Sequence, residues 1–148
     1  MALLESDERR DGGLRVAAST TGLAGFVHVV LDEDGRWGSL IDNLHVVQHR
    51  RCTGLGTALL SRAARAVAER ARGSALYLWV LEQNTAAQEF HRALGGTCVE
   101  KAPVSPPGGV PSRLAGSPAK LRFTWPDASL LAQTGGRRGV ATIRRDAP

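Results

Sequence analysis

Arg51, Cys52, Thr53, Gly54, Leu55 and Gly56 lie between a strand-like run, Ser39 to Val47, and an Ala- and Leu-rich helical stretch from Thr57 to about Arg72. A strand that turns through two glycines into a helix leaves the first helical N–H groups unpaired at the positive end of the helix dipole. Glycine lets the chain turn tightly and lets a ligand come up against the backbone. Such a turn is suited to gripping a phosphate or pyrophosphate. Two familiar phosphate loops do not fit. No Lys followed by Ser or Thr comes after the second glycine, as a Walker-type loop needs. The third glycine and the acidic residue about 20 positions on that mark a dinucleotide-binding turn are also missing.

The periodicity around this loop gives the order of elements. Leu14 to Ala18 and Gly25 to Leu31 read as strands, Asp32 to Gly35 as a hairpin turn, and Trp37 to Val47 as a third strand. The helix carries Leu55, Leu59, Ala63, Ala66 and Val67 on one stripe, with Gly73 read as its C-terminal cap. Ala75 to Leu81 is almost unbroken apolar sequence, the mark of a strand buried on both faces. Asn84 reads as the cap of a second helix, Thr85 to Leu94, closed by Gly95 and Gly96. Thr97 to Lys101 and Ala119 to Trp125 read as final strands around a Pro/Gly/Ser-rich loop, Pro103 to Pro118. The order predicts an α/β fold with a mixed sheet. The expected organisation is a disordered N-terminus over 1–13, one domain over 14–125, and a basic, disordered tail over 126–148.

With 148 residues, 43% hydrophobic and 22% charged, the chain suits one globular domain with a real core. No apolar run is long enough to span a bilayer, and the charged start is not a signal peptide. Cys52 and Cys98 are too few for a disulfide framework, so a reducing cytoplasm is the expected compartment. The net charge of +5 owes much to Arg137, Arg138, Arg144 and Arg145 near the end of the chain. Without aromatic interleaving or a basic helical stripe, these read as a solvated tail and not as a nucleic-acid surface. His45 and His49 have no cysteine cluster beside them, and no metal is expected.

Two motifs in order, with a buried strand between them, resemble those of the GNAT superfamily of acyl-CoA-dependent N-acetyltransferases. The first, Gln/Arg-x-x-Gly-x-Gly/Ala, is matched by Arg51, Gly54 and Gly56, with Val46 upstream. The second, Asn-x-x-Ala-x-x-Phe-Tyr-x-x-x-Gly, is matched by Asn84, Ala87, Phe90 and Gly95, with His91 in the usual tyrosine place. The resemblance implies a mixed, mostly antiparallel sheet with a central splayed strand pair and flanking helices. It implies acetyl-CoA as acyl donor, with its pyrophosphate on the amides of Cys52, Thr53, Gly54, Leu55, Gly56 and Thr57 beside Arg51. Backbone groups from His45 to Val47, including Val46, would hold the pantetheine and thioester, and Asn84 would line the other side. The acceptor would be a primary amine of a small molecule or a protein.

His91, in the tyrosine's place, would be the proton donor to the leaving thiolate, as a ring partly protonated at neutral pH. Asp42 and His45 compete as general base; strand alternation puts them on opposite faces, and a bulge would switch that phase. Cys52 reads as an inert small residue, and Trp37, Trp79 and Trp125 as core or edge packing. Family members usually begin with a further strand and two helices; with about a dozen residues before Leu14 these are expected to be missing, the chain being shortened at its N-terminus or its start assigned too late. On that basis Leu14 to Ala18 is expected to be an exposed edge, and the chain to be marginally stable or to self-associate. A degenerate CoA-binding module and a basic nucleic-acid-associated protein are the alternative functions.

Overall fold

The computed structural model describes residues 2–8, 13–19, 23–47, 54–110 and 118–134. Four strands come first: β1 (Ala2–Glu8), β2 (Gly13–Ser19), β3 (Leu23–Asp34) and β4 (Gly38–Val46). Helix α1 (Leu55–Arg70), β5 (Leu76–Leu81), α2 (Thr85–Ala93), β6 (Thr97–Pro103) and β7 (Ala119–Trp125) follow. A last helix, α3, covers residues 128–134. The seven strands form one sheet in the order β1-β2-β3-β4-β5-β7-β6. Only β4 and β5 are a parallel pair; every other neighbour is antiparallel. The expected fold class is the observed one.

Helix α1 lies on the β2–β4 part of the sheet. Its apolar stripe, Leu55, Leu59, Leu60, Ala63, Ala64 and Val67, meets Leu14, Val16, Ala18, Val27 and Val29. Helix α2 lies on the same face, since Phe90 comes against Gly56 and His91 against Phe123 and Trp125. The physical reason is that β4 to β5 and β5 to β6 both cross the sheet in one direction, and crossovers of one hand then leave their helices on one side.

Four expectations are corrected. The N-terminus is ordered over Ala2–Glu8, where β1 pairs with β2 from Ala2↔Ser19 to Glu8↔Gly13. Its polar sequence hid it, but an edge strand needs backbone pairing more than apolar content. Leu3 still packs on the core, and Glu5 pairs with Arg62 of α1 at 2.6 Å. The strand from Leu14 to Ala18 is therefore interior, with Leu14, Val16 and Ala18 fully buried. The two helices usual in such a fold between its first two strands have only residues 9–12 in their place.

The tail is likewise ordered through residue 134. Ala128 and Leu131 are buried, Ala128 N–H donates to the Ser74 carbonyl at 2.8 Å, and Ser61 Oγ donates to the Ala132 carbonyl at 2.7 Å. Residues 135–148, with the four arginines, lie outside the described residues. Finally, α1 ends at Arg70 without a glycine cap, because Ala71 is extended. The carboxylate of Asp32 takes the next two amides, Arg72 N–H at 2.9 Å and Gly73 N–H at 3.0 Å.

If α3 belongs to the core, Leu131→Ala should cost about 2–4 kcal/mol, as buried Leu truncations do. Chemical denaturation measures this, and an unchanged midpoint would show that residues 128–134 contribute nothing to the fold.

Candidate active site

Strands β4 and β5 are pinned together at their start and part beyond it. Gly38 has φ +89, and a side chain there would collide with the Ala75 backbone, so only glycine lets the strands approach. Ser39 N–H donates to the Ala75 carbonyl at 3.0 Å. The ladder then holds for two pairs, Ser39↔Leu76 and Leu40↔Tyr77. On the other edge of β4, His28 pairs with Asn43 and Val29 with Ile41, which leaves Asp42 as an extra residue. This bulge bends β4 and puts Asp42 and Asn43 both at the surface.

A cleft of about 370 Å³ opens where the strands part, with Asp42 and Leu44 on one wall, Trp79 and Leu81 on the other, and Asn84 and His91 also lining it. It adjoins a groove of about 520 Å³ between α1 and α2, and Leu44, Ala87 and Phe90 line both. The groove reaches Val46, Gly54, Gly56 and Thr57. Gly54 holds φ +86, a left-handed conformation that costs other residues strain, and it leads directly into α1. Among the described residues no side chain caps that helix, and no acidic residue stands in its first turn. Its first amides are thus free to meet an anion. A Cβ on Gly56 would lie 3.3 Å from the Phe90 ring, so this glycine serves the contact of α1 with α2.

The other predicted residues distribute unevenly. Leu55 turns its side chain into the core, leaving only its backbone to the loop. Val47 N–H donates to the Ala24 carbonyl at 2.9 Å. Asn84 caps α2 as expected, its Oδ1 accepting from Ala87 N–H at 3.1 Å. His45 stands on the face away from the helices, tilted against Phe26 at 5.7 Å between ring centres, and does not line the cleft. Asp42 does, and His28 Nδ1 lies 3.5 Å from its Oδ2. Sequence gave no signal for His28, which meets Asp42 only through the bulge register. Arg51, Cys52 and Thr53 lie outside the described residues. Trp125 is core, its Nε1 donating to the Leu94 carbonyl at 3.1 Å.

His91 differs from expectation in charge. Its ring is 5% exposed, packed 5.1 Å from Phe90, 6.0 Å from Phe123 and 5.8 Å from Trp125 between centres. Nδ1 is buried without a hydrogen-bond partner among the described residues. Burial pushes its pKa down from 6.5 to about 4, so the ring is neutral at neutral pH and not partly protonated.

A model of the acetyltransferase (GNAT) family matches residues 2–95, and the chain belongs to that family. It is accordingly an acyltransferase by family. No curated protein matches it. Among solved structures, the ribosomal-protein-S18-alanine N-acetyltransferase of Escherichia coli is 25% identical, over 82% of this chain and 72% of that one, with TM-score 0.61. Nourseothricin acetyltransferase is 25% identical at TM-score 0.62, over 78% of this chain but only 64% of its own. NAA60 of Arabidopsis thaliana, solved in complex with acetyl-CoA, shares the fold at 19% identity, over 76% of this chain and 75% of that one, with TM-score 0.58.

The His91 environment sets a pH window for stability. Between about pH 6.5 and 4 the unfolded chain takes up a proton that the folded ring refuses, so stability falls as pH drops through that range. The loss should total about 3 kcal/mol. Denaturation of wild type and His91→Phe at both ends of the window tests this: the variant should lose less, and parallel curves would show that His91 titrates normally.

Proposed function

We propose that the chain transfers an acetyl group from acetyl-CoA to a primary amine of a small molecule or a protein. The observation that carries this reading is the continuity of the α1–α2 groove with the cleft between β4 and β5. The groove fits the donor on three counts: free helix amides for a pyrophosphate, an apolar lining for a pantetheine arm, and a way through to the opposite face of the sheet. Acetyl-CoA bound there supplies the acyl group as a thioester open to attack by a neutral amine.

The chain's own residues do the rest. Beyond Leu40 the edge of β4 that faces β5 has no ladder partner among the described residues, so its backbone N–H groups are available to a developing oxyanion. Asp42, at the surface end of the cleft, takes the proton of the acceptor ammonium and thereby makes the amine nucleophilic. His91, neutral at the inner end, donates an N–H hydrogen bond toward the sulfur and does not act as an imidazolium acid; the proton that the attacking nitrogen sheds as the C–N bond forms and the C–S bond breaks passes to the departing thiolate. The sparing use of cysteine supports a cytoplasmic location.

Two measurements test the proposal. Gly56→Val, which crowds Phe90 and fills the groove, should weaken acetyl-CoA binding by calorimetry at least about tenfold, a loss of about 1.4 kcal/mol; unchanged affinity would refute the donor site. Asp42→Asn should lower amine-dependent thiol release about a hundredfold, within the range of general base catalysis, with acetyl-CoA affinity kept. Wild-type protein that binds acetyl-CoA and acetylates no amine would instead be a CoA-binding module.

A further inference from the structure

The mouth of the cleft, on the sheet face away from the helices, carries opposite charges on its two sides. On the β4 side stands Asp42, its side chain 56% exposed, with His28 as its neighbour. On the other side Trp79 lines the cleft, and β7 sets two cations over its ring: Lys120 Nζ 4.3 Å and the Arg122 guanidinium 4.2 Å from the ring centre. The register puts Arg122 opposite Trp79 and Lys120 opposite Leu81, so both cations project on the Trp79 side of the sheet.

The cations on this side are not equivalent. Of the two over Trp79, Arg122 is engaged by Glu100 at 2.8 Å. Lys120 has no carboxylate within ion-pair distance among the described residues. An ammonium over an indole face is held in place yet keeps N–H donors for a further acceptor. Beside Trp79, Lys120 is therefore the positive charge without a carboxylate, and it faces Asp42 across the mouth at a span of more than two strand spacings, upward of ~10 Å, because β4 and β5 part here.

We propose that the acceptor is a small amine carrying an anionic group, of the amino acid type, with its amine at Asp42 and its anion at Lys120. This rests on the acetyl-transfer reading above. The orientation follows from the chemistry: the amine must lie where the proton is removed and the thioester is reached, and that end of the mouth is Asp42. The anion then points outward to Lys120, with the short chain between them lying along Trp79 and the exposed Leu81. A plain alkylamine satisfies only one end, and a diamine brings a second cation against Lys120 and Arg122.

The test compares thiol release from acetyl-CoA with β-alanine and γ-aminobutyrate against propylamine and butylamine, using the whole chain and its Lys120→Gln and Lys120→Arg variants. Wild type should favour the amino acids about fivefold to tenfold in kcat/KM, the range of an exposed to partly buried charge pair. The preference should shrink with added salt. Lys120→Gln should bring the ratio close to one and Lys120→Arg should restore it. Equal rates on both classes in wild type, or a preference that survives in Lys120→Gln, would overturn the acceptor class while leaving acetyl transfer standing. Release with none of the four amines, with acetyl-CoA still bound, would overturn the acceptor class and leave a protein amine as the acceptor for acetyl transfer.

Discussion

Strands β4 and β5 stay together for two residue pairs, and then the extra residue at Asp42 bends β4 away. Most of what the molecule can do depends on that parting. A sheet that stayed zipped would satisfy its backbone internally and close the route between its two faces. Because the seam opens, one strand edge keeps free amides, and the α1–α2 groove on one face communicates with the charged mouth on the other. Gly38 makes the seam definite. By permitting close approach to Ala75 it fixes where pairing starts, so the bulge sets where it ends.

The face without helices is managed by side chains. Arg15 lies 4.4 Å over the Phe26 ring, and Arg122 lies over Trp37, Tyr77 and Trp79. Planar guanidinium groups cover aromatic surface while keeping their charge near water, a light substitute for helices. That cover leaves the cleft mouth accessible. It also gives the mouth its electrostatic character, since cations that shield the rings stand beside the cleft.

His91 shows how one position in a motif can change its chemistry through its surroundings. Three aromatic rings and the loss of water make the neutral imidazole the stable form. A residue whose ordinary pKa suggests an acid near neutral pH becomes one that resists protonation. Gly56 is a similar case. Its sequence context suggests room for a ligand, whereas its immediate neighbour is Phe90, and the space it saves is shared between helix packing and the groove.

Much of the fold was legible in the sequence because local rules governed it. The glycine turn into α1, the cap at Asn84 and the strand at Ala119–Trp125 are set by backbone freedom, capping and alternation within a few residues, and the structure carries each of them. The two motifs, far apart in the chain, already implied an acetyltransferase. Pairing was not legible. Ala2–Glu8 looks unlike a strand until β2 offers it a ladder, and α3 becomes part of the core only where Ser61 and Ser74 meet it. The meeting of Asp42 with His28 and of Lys120 with Trp79 depends on strand register, and a one-residue bulge reverses which face a side chain takes. The charge on His91 depends on burial among Phe90, Phe123 and Trp125. Sequence determined which elements form and which family they compose; only the tertiary structure decided which side chains meet in the cleft and in what charge state, because register and desolvation arise between segments far apart in the chain.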